Sequence, residues 1–323
     1  MPDIAPTTPL VIAHQLSGEF ERRLDATLPP GIEWRALPPG AAWEVPEDAN
    51  VLLAVPPRGG QIIVPPTRPP GWPHRLQWIQ AVSAGVDEYP KWIFDVPLVT
   101  CGRGTNSVPI AEFVFAAMLA VTKKLPEIWI DRAADWKLTE LGTLENKTLG
   151  LVGFGSIGRA VAVRARSFGM NILATRRSAS DGAGENGVTF VSLETVLTQA
   201  DHLVIALPLT AATAGLIGRA ALAQVKPGVH LINISRGRIL DQAALLEALD
   251  ANRVGIATLD VTEPEPLPAG HALYTHPRVH LSPHLSWSNG ERGQAFTAYF
   301  AENLRRFLQG QPLQGVVDPA AGY

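Results

Sequence analysis

From Leu149 onward, short apolar runs alternate with helical patterns. Leu149–Val152, Asn171–Ala174, His202–Ala206, Val229–Ile234, Ile256–Asp260 and Val279–Leu281 read as strands. Between the first two, Ile157, Val161, Ala165 and Phe168 recur at helical spacing, and Gly169 stops the helix. Continuous apolar strands separated by helices predict a parallel sheet covered on both faces, a doubly wound α/β fold. The first 75 residues carry Pro29-Pro30, Pro38-Pro39, Pro56-Pro57, Pro65-Pro66 and Pro69-Pro70, so short elements there must alternate with loops. Val51–Val55 reads as a buried strand, followed after the proline-rich loop by Leu76–Gln80. Ile110–Val121 is the longest apolar segment, is interrupted by Glu112, and falls short of the roughly 20 residues a bilayer requires. It reads as a buried helix. Ala295–Leu308 places Phe296, Tyr299, Phe300, Leu304 and Phe307 at helical spacing.

The 323 residues favour two domains or one large α/β unit. With 46% hydrophobic and 18% charged residues, the chain suits neither disorder, collagen nor coiled coil. The formal net charge of −3 leaves no basic stripe for a nucleic-acid backbone. Cys101 is the single cysteine, which excludes an internal disulfide and a cysteine-rich zinc site, and no base lies near it in sequence. His202, His230, His271, His276 and His280 lack metal-ligand spacing. The start, Met1-Pro2-Asp3-Ile4-Ala5-Pro6, has an acid and prolines where a signal peptide has basic and apolar residues. The expectation is a soluble, cytoplasmic protein with no membrane partner.

Gly153-Phe154-Gly155-Ser156-Ile157-Gly158 fits G-x-G-x-x-G and stands between a strand and a helix. The first glycine permits a tight turn, the second lets a pyrophosphate approach the backbone, and the third lets helix and strand pack closely. The helix amino terminus, at Ser156 and Ile157, then offers N–H groups to phosphate. Dinucleotide-binding sites that choose NAD usually carry an acid roughly 20 residues further on, for the ribose 2′-hydroxyl. Here the segment reads Ala174-Thr175-Arg176-Arg177-Ser178. Two guanidiniums and two hydroxyls suit a 2′-phosphate, so NADP(H) is favoured over NAD(H).

Three further segments end strands at the carboxyl edge of the sheet, where open α/β sheets hold ligands. They are Asn233-Ile234-Ser235-Arg236-Gly237-Arg238, Asp260-Val261-Thr262-Glu263-Pro264-Glu265-Pro266 and Ser282-Pro283-His284-Leu285-Ser286. An Arg, a Glu and a His can therefore meet in one cleft. Asp241 reads as a helix N-cap. Together with Ser83-Ala84-Gly85-Val86-Asp87, Asn106-Ser107 followed by Ala111-Glu112, Lys147-Thr148-Leu149-Gly150 and Pro208-Leu209-Thr210 with Thr213, these motifs run in an order that chance does not supply. Over most of its length the chain resembles the D-isomer-specific 2-hydroxyacid dehydrogenases, and within them the glyoxylate/hydroxypyruvate reductase-like branch.

The resemblance implies a Rossmann dinucleotide-binding domain over 101–285. It also implies a smaller flavodoxin-like substrate-binding domain from 1–100 and 286–323, with dimerisation through the nucleotide domain. Arg236 would bind the substrate carboxylate and polarise the 2-oxo group. His284 would be the general acid during hydride transfer, and Glu265 would orient its imidazole and favour the charged form. Backbone amides of Ser83, Ala84 and Gly85 would clamp the carboxylate a second time, and Trp287 would wall the pocket. Leu207, Pro208, Thr213, Ile234, Ser235 and Asp260 would line the cofactor beside Gly153 and Gly155, with His284 at its nicotinamide end. Leu207 departs from the histidine that many relatives carry. Glu265 argues against the formate-oxidising branch, which has Gln there. The expected activity is NADP(H)-dependent reduction of glyoxylate or hydroxypyruvate to D-2-hydroxy acids. Bulkier aromatic or branched 2-oxo acids, and a corepressor-like dinucleotide sensor, are the alternatives.

Overall fold

The computed structural model describes residues 9–16, 19–27, 29–57, 62–177, 182–184, 187–289 and 293–323. The chain divides into two compact units, Met1–Asn106 with Asn289–Tyr323, and Ser107–Ser288. No helix among the described residues is long and apolar enough to cross a membrane.

The first unit holds a five-stranded parallel sheet of β1 (Leu10–His14), β2 (Ile32–Ala36), β3 (Val51–Ala54), β4 (Trp78–Ala81) and β5 (Leu98–Cys101). The strands lie in the order β2-β1-β3-β4-β5. α1 (Glu19–Asp25) follows β1, and α7 (Gln294–Leu308) returns to the sheet from the far end of the chain. On one face, Ile12, Val51, Leu53 and Trp78 pack with Phe296, Phe300 and Leu304 of α7. On the other, Leu52, Ala54, Ile79 and Ala81 pack with Trp43, Trp72 and Ile93 from the connecting loops. The proline-rich stretch thus supplies one whole covering layer without a long helix. The strand expected near Leu76 begins at Trp78, while β1 and β2 carry no pattern strong enough to stand out among the prolines.

The second unit holds an eight-stranded sheet in the order β13-β12-β11-β10-β6-β7-β9-β8. Its strands are β6 (Thr148–Val152), β7 (Asn171–Thr175), β8 (Gly182–Ala183), β9 (Val188–Phe190), β10 (His202–Ile205), β11 (Val229–Asn233), β12 (Val254–Leu259) and β13 (Val279–Leu281). All pairings are parallel except β8 with β9. The strands alternate their buried side chains between two cores. Val204 and Ile232 face α2 (Ser107–Thr122) and α3 (Ser156–Ser167). Leu203, Leu231 and Leu259 face α4 (Leu193–Gln199), α5 (Arg219–Gln224) and α6 (Gln242–Asp250). This is the doubly wound α/β sheet the strand and helix pattern predicts. Asp241 caps α6, its side chain accepting the Ala244 N–H. The chain leaves β6 toward β7 and returns through β10 on the other side, so a topological switch point falls at the carboxyl ends of β6 and β10.

Candidate active site

The glycine loop opens at that switch point. Gly153 has φ +103°, a left-handed conformation that favours glycine, and a Cβ there would lie 2.6 Å from the Ala206 carbonyl oxygen. At Gly155 a Cβ would meet nothing within 4 Å, which leaves room beside the backbone. Gly158 sits so close to Gly153 that a Cβ would come within 2.8 Å of its carbonyl oxygen. Helix α3 starts at Ser156 with no side-chain cap, so Ser156 and Ile157 stand in its first turn with N–H groups that need an acceptor. Open space at the second glycine and an uncapped helix start fit a dinucleotide pyrophosphate. Thr175, at the end of β7, accepts the Gly153 N–H at 3.1 Å and ties the loop to the next strand. Arg176 and Arg177 follow, both exposed, and the Arg176 guanidinium lies 3.9 Å over the Phe190 ring. Ser178 lies outside the described residues.

Beyond β10, Leu207 offers its carbonyl to Ser235 Oγ at 2.6 Å, which links two strand ends. Thr213 Oγ1 accepts the Thr210 N–H and donates to the Pro208 carbonyl at 2.7 Å, closing the Pro208–Thr213 turn. Ile234 is buried, and Ser235 is held again by its N–H to Asn233 Oδ1 at 3.1 Å. Arg236 is half-buried, with Nη1 donating to its own Ser235 carbonyl at 2.9 Å. Gly237 packs so tightly that a Cβ would collide with the Thr262–Glu263 peptide. The arginine loop and the glutamate loop are thereby pressed together backbone to backbone.

His284 and Glu265 meet directly, with Nδ1 2.8 Å from Oε2. The other carboxylate oxygen, Oε1, accepts the Thr262 N–H at 3.1 Å, which keeps the group aimed at the ring. His284 itself has φ +51°, an uncommon conformation for a side-chain-bearing residue. Asp260 holds the turn in that shape. Its backbone carbonyl accepts the His284 N–H at 2.8 Å. Its carboxylate accepts Ser282 Oγ at 2.6 Å, Leu285 N–H at 2.9 Å and Ser286 N–H at 3.0 Å. Asp260 is only 1% exposed, so a buried carboxylate is satisfied entirely by the loop that carries the histidine. Trp287 donates its indole N–H to the His284 carbonyl at 2.7 Å and remains largely exposed. In the first unit, Ser83 Oγ donates to the Gly85 carbonyl at 2.7 Å, shaping the Ser83-Ala84-Gly85 turn after β4.

Within the strand-end segments the sequence assigns no role of their own to Ser282, Thr262 and Gly237, and it does not mark Phe190. Ser282 and Thr262 carry ordinary hydroxyls, and only contacts across the fold reveal what they hold. Gly237 stood beside Arg236, and a glycine next to a site arginine was the available signal.

Residues 115–286 match the model of the D-isomer-specific 2-hydroxyacid dehydrogenase NAD-binding domain. The chain belongs to the D-isomer-specific 2-hydroxyacid dehydrogenases, a family of oxidoreductases. Among curated relatives, a D-3-phosphoglycerate dehydrogenase of Bacillus subtilis is 37% identical over 66% of this chain, and the match spans only 41% of that protein. Glyoxylate/hydroxypyruvate reductase B of Pectobacterium atrosepticum is 38% identical over 65% of this chain and 68% of its own. Among solved structures, a D-isomer-specific 2-hydroxyacid dehydrogenase from Xanthobacter autotrophicus Py2, in complex with NADPH and MES, superposes with a TM-score of 0.79. It is 28% identical and covers 98% of this chain and 100% of its own.

Proposed function

We propose that this protein is an NADP(H)-dependent reductase that converts small 2-oxo acids, glyoxylate and hydroxypyruvate first, to D-2-hydroxy acids. The carrying observation is the 2.8 Å contact of His284 Nδ1 with Glu265, on a loop packed against the one that bears Arg236. With Nδ1–H donated to Glu265, Nε2 is the ring nitrogen that would carry the transferable proton. His284 gives its Nε2 proton to the 2-oxo oxygen as C2 gains a hydride, and the C=O becomes CH–OH. A bound reduced nicotinamide supplies that hydride when present. Arg236 binds the substrate carboxylate through planar, charge-assisted bonds and orients the carbonyl toward His284. Glu265 and Asp260 are positioning residues: one aims the ring and the other fixes the backbone beneath it.

The cofactor choice rests on Arg176 and Arg177 at the end of β7, in a segment, Ala174-Thr175-Arg176-Arg177-Ser178, that carries no acid. The bound NADPH of the Xanthobacter relative supports it. Initial rates with NADPH and NADH across a panel of 2-oxo acids test the reading. The panel includes glyoxylate, hydroxypyruvate, its 3-phosphate, and aromatic and branched acids. Equal or faster turnover with NADH contradicts the cofactor assignment, and no turnover with any acid contradicts the reaction.

The setting we propose is cytoplasmic and the assembly a homodimer. The segment after α2 leaves Trp129 69%, Trp136 84% and Leu138 105% exposed, an apolar stretch that a second copy would cover. Trp136→Glu is expected to shift the protein toward monomer in sedimentation velocity; an unchanged dimer contradicts this placement of the interface.

A further inference from the structure

At the end of β7 a guanidinium rests on an aromatic face. Arg176 Cζ is 3.9 Å from the centroid of Phe190, whose ring is only 2% exposed. Phe190 pairs with Ala174, two residues before Arg176, and the period-two alternation of a strand puts those positions on the same side of the sheet. Among the described residues Arg176 makes no hydrogen bond or ion pair, and its guanidinium rests on the ring. Phe190 in turn meets Phe154 edge to face, with centroids 5.1 Å apart and planes at 80°. Phe154 stands between the first two glycines of the loop, and its own ring lies 5.1 Å from the Arg159 guanidinium. Four side chains, Arg176, Phe190, Phe154 and Arg159, therefore form one continuous stack from the strand end to the phosphate loop. On the β8 side, a Cβ on Gly184 would collide with the Phe190 ring, so only a hydrogen at that position lets the ring lie where it does.

Stacking and hydrogen bonding use different parts of a guanidinium. The π-face binds the flat side of the cation, while all five N–H donors point outward in its plane. A guanidinium laid on a ring is thus restricted in its rotamers and still offers its donor edge to a doubly charged group. A salt bridge to a carboxylate would have consumed that edge and cancelled the charge.

We propose that Phe190 is a specificity-determining positioning residue: its buried ring holds the Arg176 guanidinium edge-on to the 2′-phosphate of the dinucleotide. The role rests on the NADP(H) reading above. The test compares kcat/KM for NADPH and NADH in the wild type, Phe190→Leu, Gly184→Ala, Arg176→Ala and the Phe190→Leu/Arg176→Ala double variant. Competitive inhibition by 2′,5′-ADP and by 5′-AMP accompanies it. The wild type should prefer NADPH by at least tenfold. Phe190→Leu should lower that preference about tenfold by raising KM for NADPH, with kcat and the NADH parameters unchanged. Inhibition by 2′,5′-ADP should weaken in step, and inhibition by 5′-AMP should not. In the Arg176→Ala background the Phe190 change should add nothing. Gly184→Ala, which pushes the ring without removing it, should act in the same direction, and it decides the matter if Phe190→Leu loses its NADH activity too. A wild-type preference for NADPH that survives both Phe190→Leu and Gly184→Ala overturns the role of Phe190. A wild type that does not prefer NADPH overturns the cofactor reading itself, and the proposal with it.

Discussion

Two corners of the same sheet hold their charged groups in opposite ways. At β12 and β13, His284 is fixed by directional bonds: Glu265 on its ring, Asp260 on its backbone and on three donors of the surrounding turn. At β7, Arg176 is fixed by a ring face. The difference suits the roles proposed for the two groups. Proton transfer depends on one atom pointing along one line, and hydrogen bonds enforce that line. Gripping a phosphate depends on a charge whose donors are unspent, and stacking leaves them unspent. On the function proposed above, the first corner would set how fast the reaction runs and the second which cofactor runs it.

Three perturbations probe the corners and the sheet that carries them. The largest acts on the sheet beneath both. His202 Nδ1 lies 3.2 Å from His230 Nδ1, and His230 Nε2 lies 2.9 Å from Thr258 Oγ1 in the core. Burial pushes His202 down to about 4, with Lys147 adding to the shift and Asp201 opposing it. Burial and the neighbouring His202 and His280 push His230 down to about 3. Both imidazoles fold neutral, and the unfolded chain binds more protons below its ordinary histidine range near 6.5. Stability is therefore fully present above about pH 6.5 and is lost as pH falls toward the folded values. Each contributes a loss of roughly 1.4 kcal/mol by pH 5.5. Urea unfolding at pH 7.5 and 5.5 should show a drop of about 3 kcal/mol that His202→Gln/His230→Gln reduces; an unchanged pH slope in that variant contradicts it. Next, Asp260→Asn leaves a single acceptor oxygen for three donors and should lower kcat about 30-fold, equivalent to about 2 kcal/mol, by loosening the His284 turn. The NADPH/NADH preference should not move; if it does, the two corners are not separate. Smallest is Thr175→Val, which removes the acceptor for the Gly153 N–H. It should raise KM for NADPH and NADH alike, about fivefold, with kcat intact.

Much of this was legible in the chain, for physical reasons. The central strands β6, β10 and β11 of the second unit are buried on both faces and read as continuous apolar runs, and the glycine loop declares itself by its place between one such run and a helix. The Arg, Glu and His were visible because strand ends at the carboxyl edge of an open α/β sheet are few. The hairpin of β8 and β9 was not legible: its strands are two and three residues long, so no period can be read, and Phe190 was hidden with it. Nor was the work of Asp260. Its carboxylate partners stand 22 to 26 residues away, and nothing in a linear sequence shows which loop a buried acid will satisfy.

The most direct test of the account is the His284→Gln variant, assayed for NADPH oxidation with glyoxylate and hydroxypyruvate beside a fluorescence titration with NADPH. An orienting amide without a transferable proton should lower kcat about 10³-fold while NADPH affinity and its preference over NADH stay at the wild-type values. A variant that turns over within a few-fold of the wild type would show that the proton comes from elsewhere, and would remove His284 from the reaction.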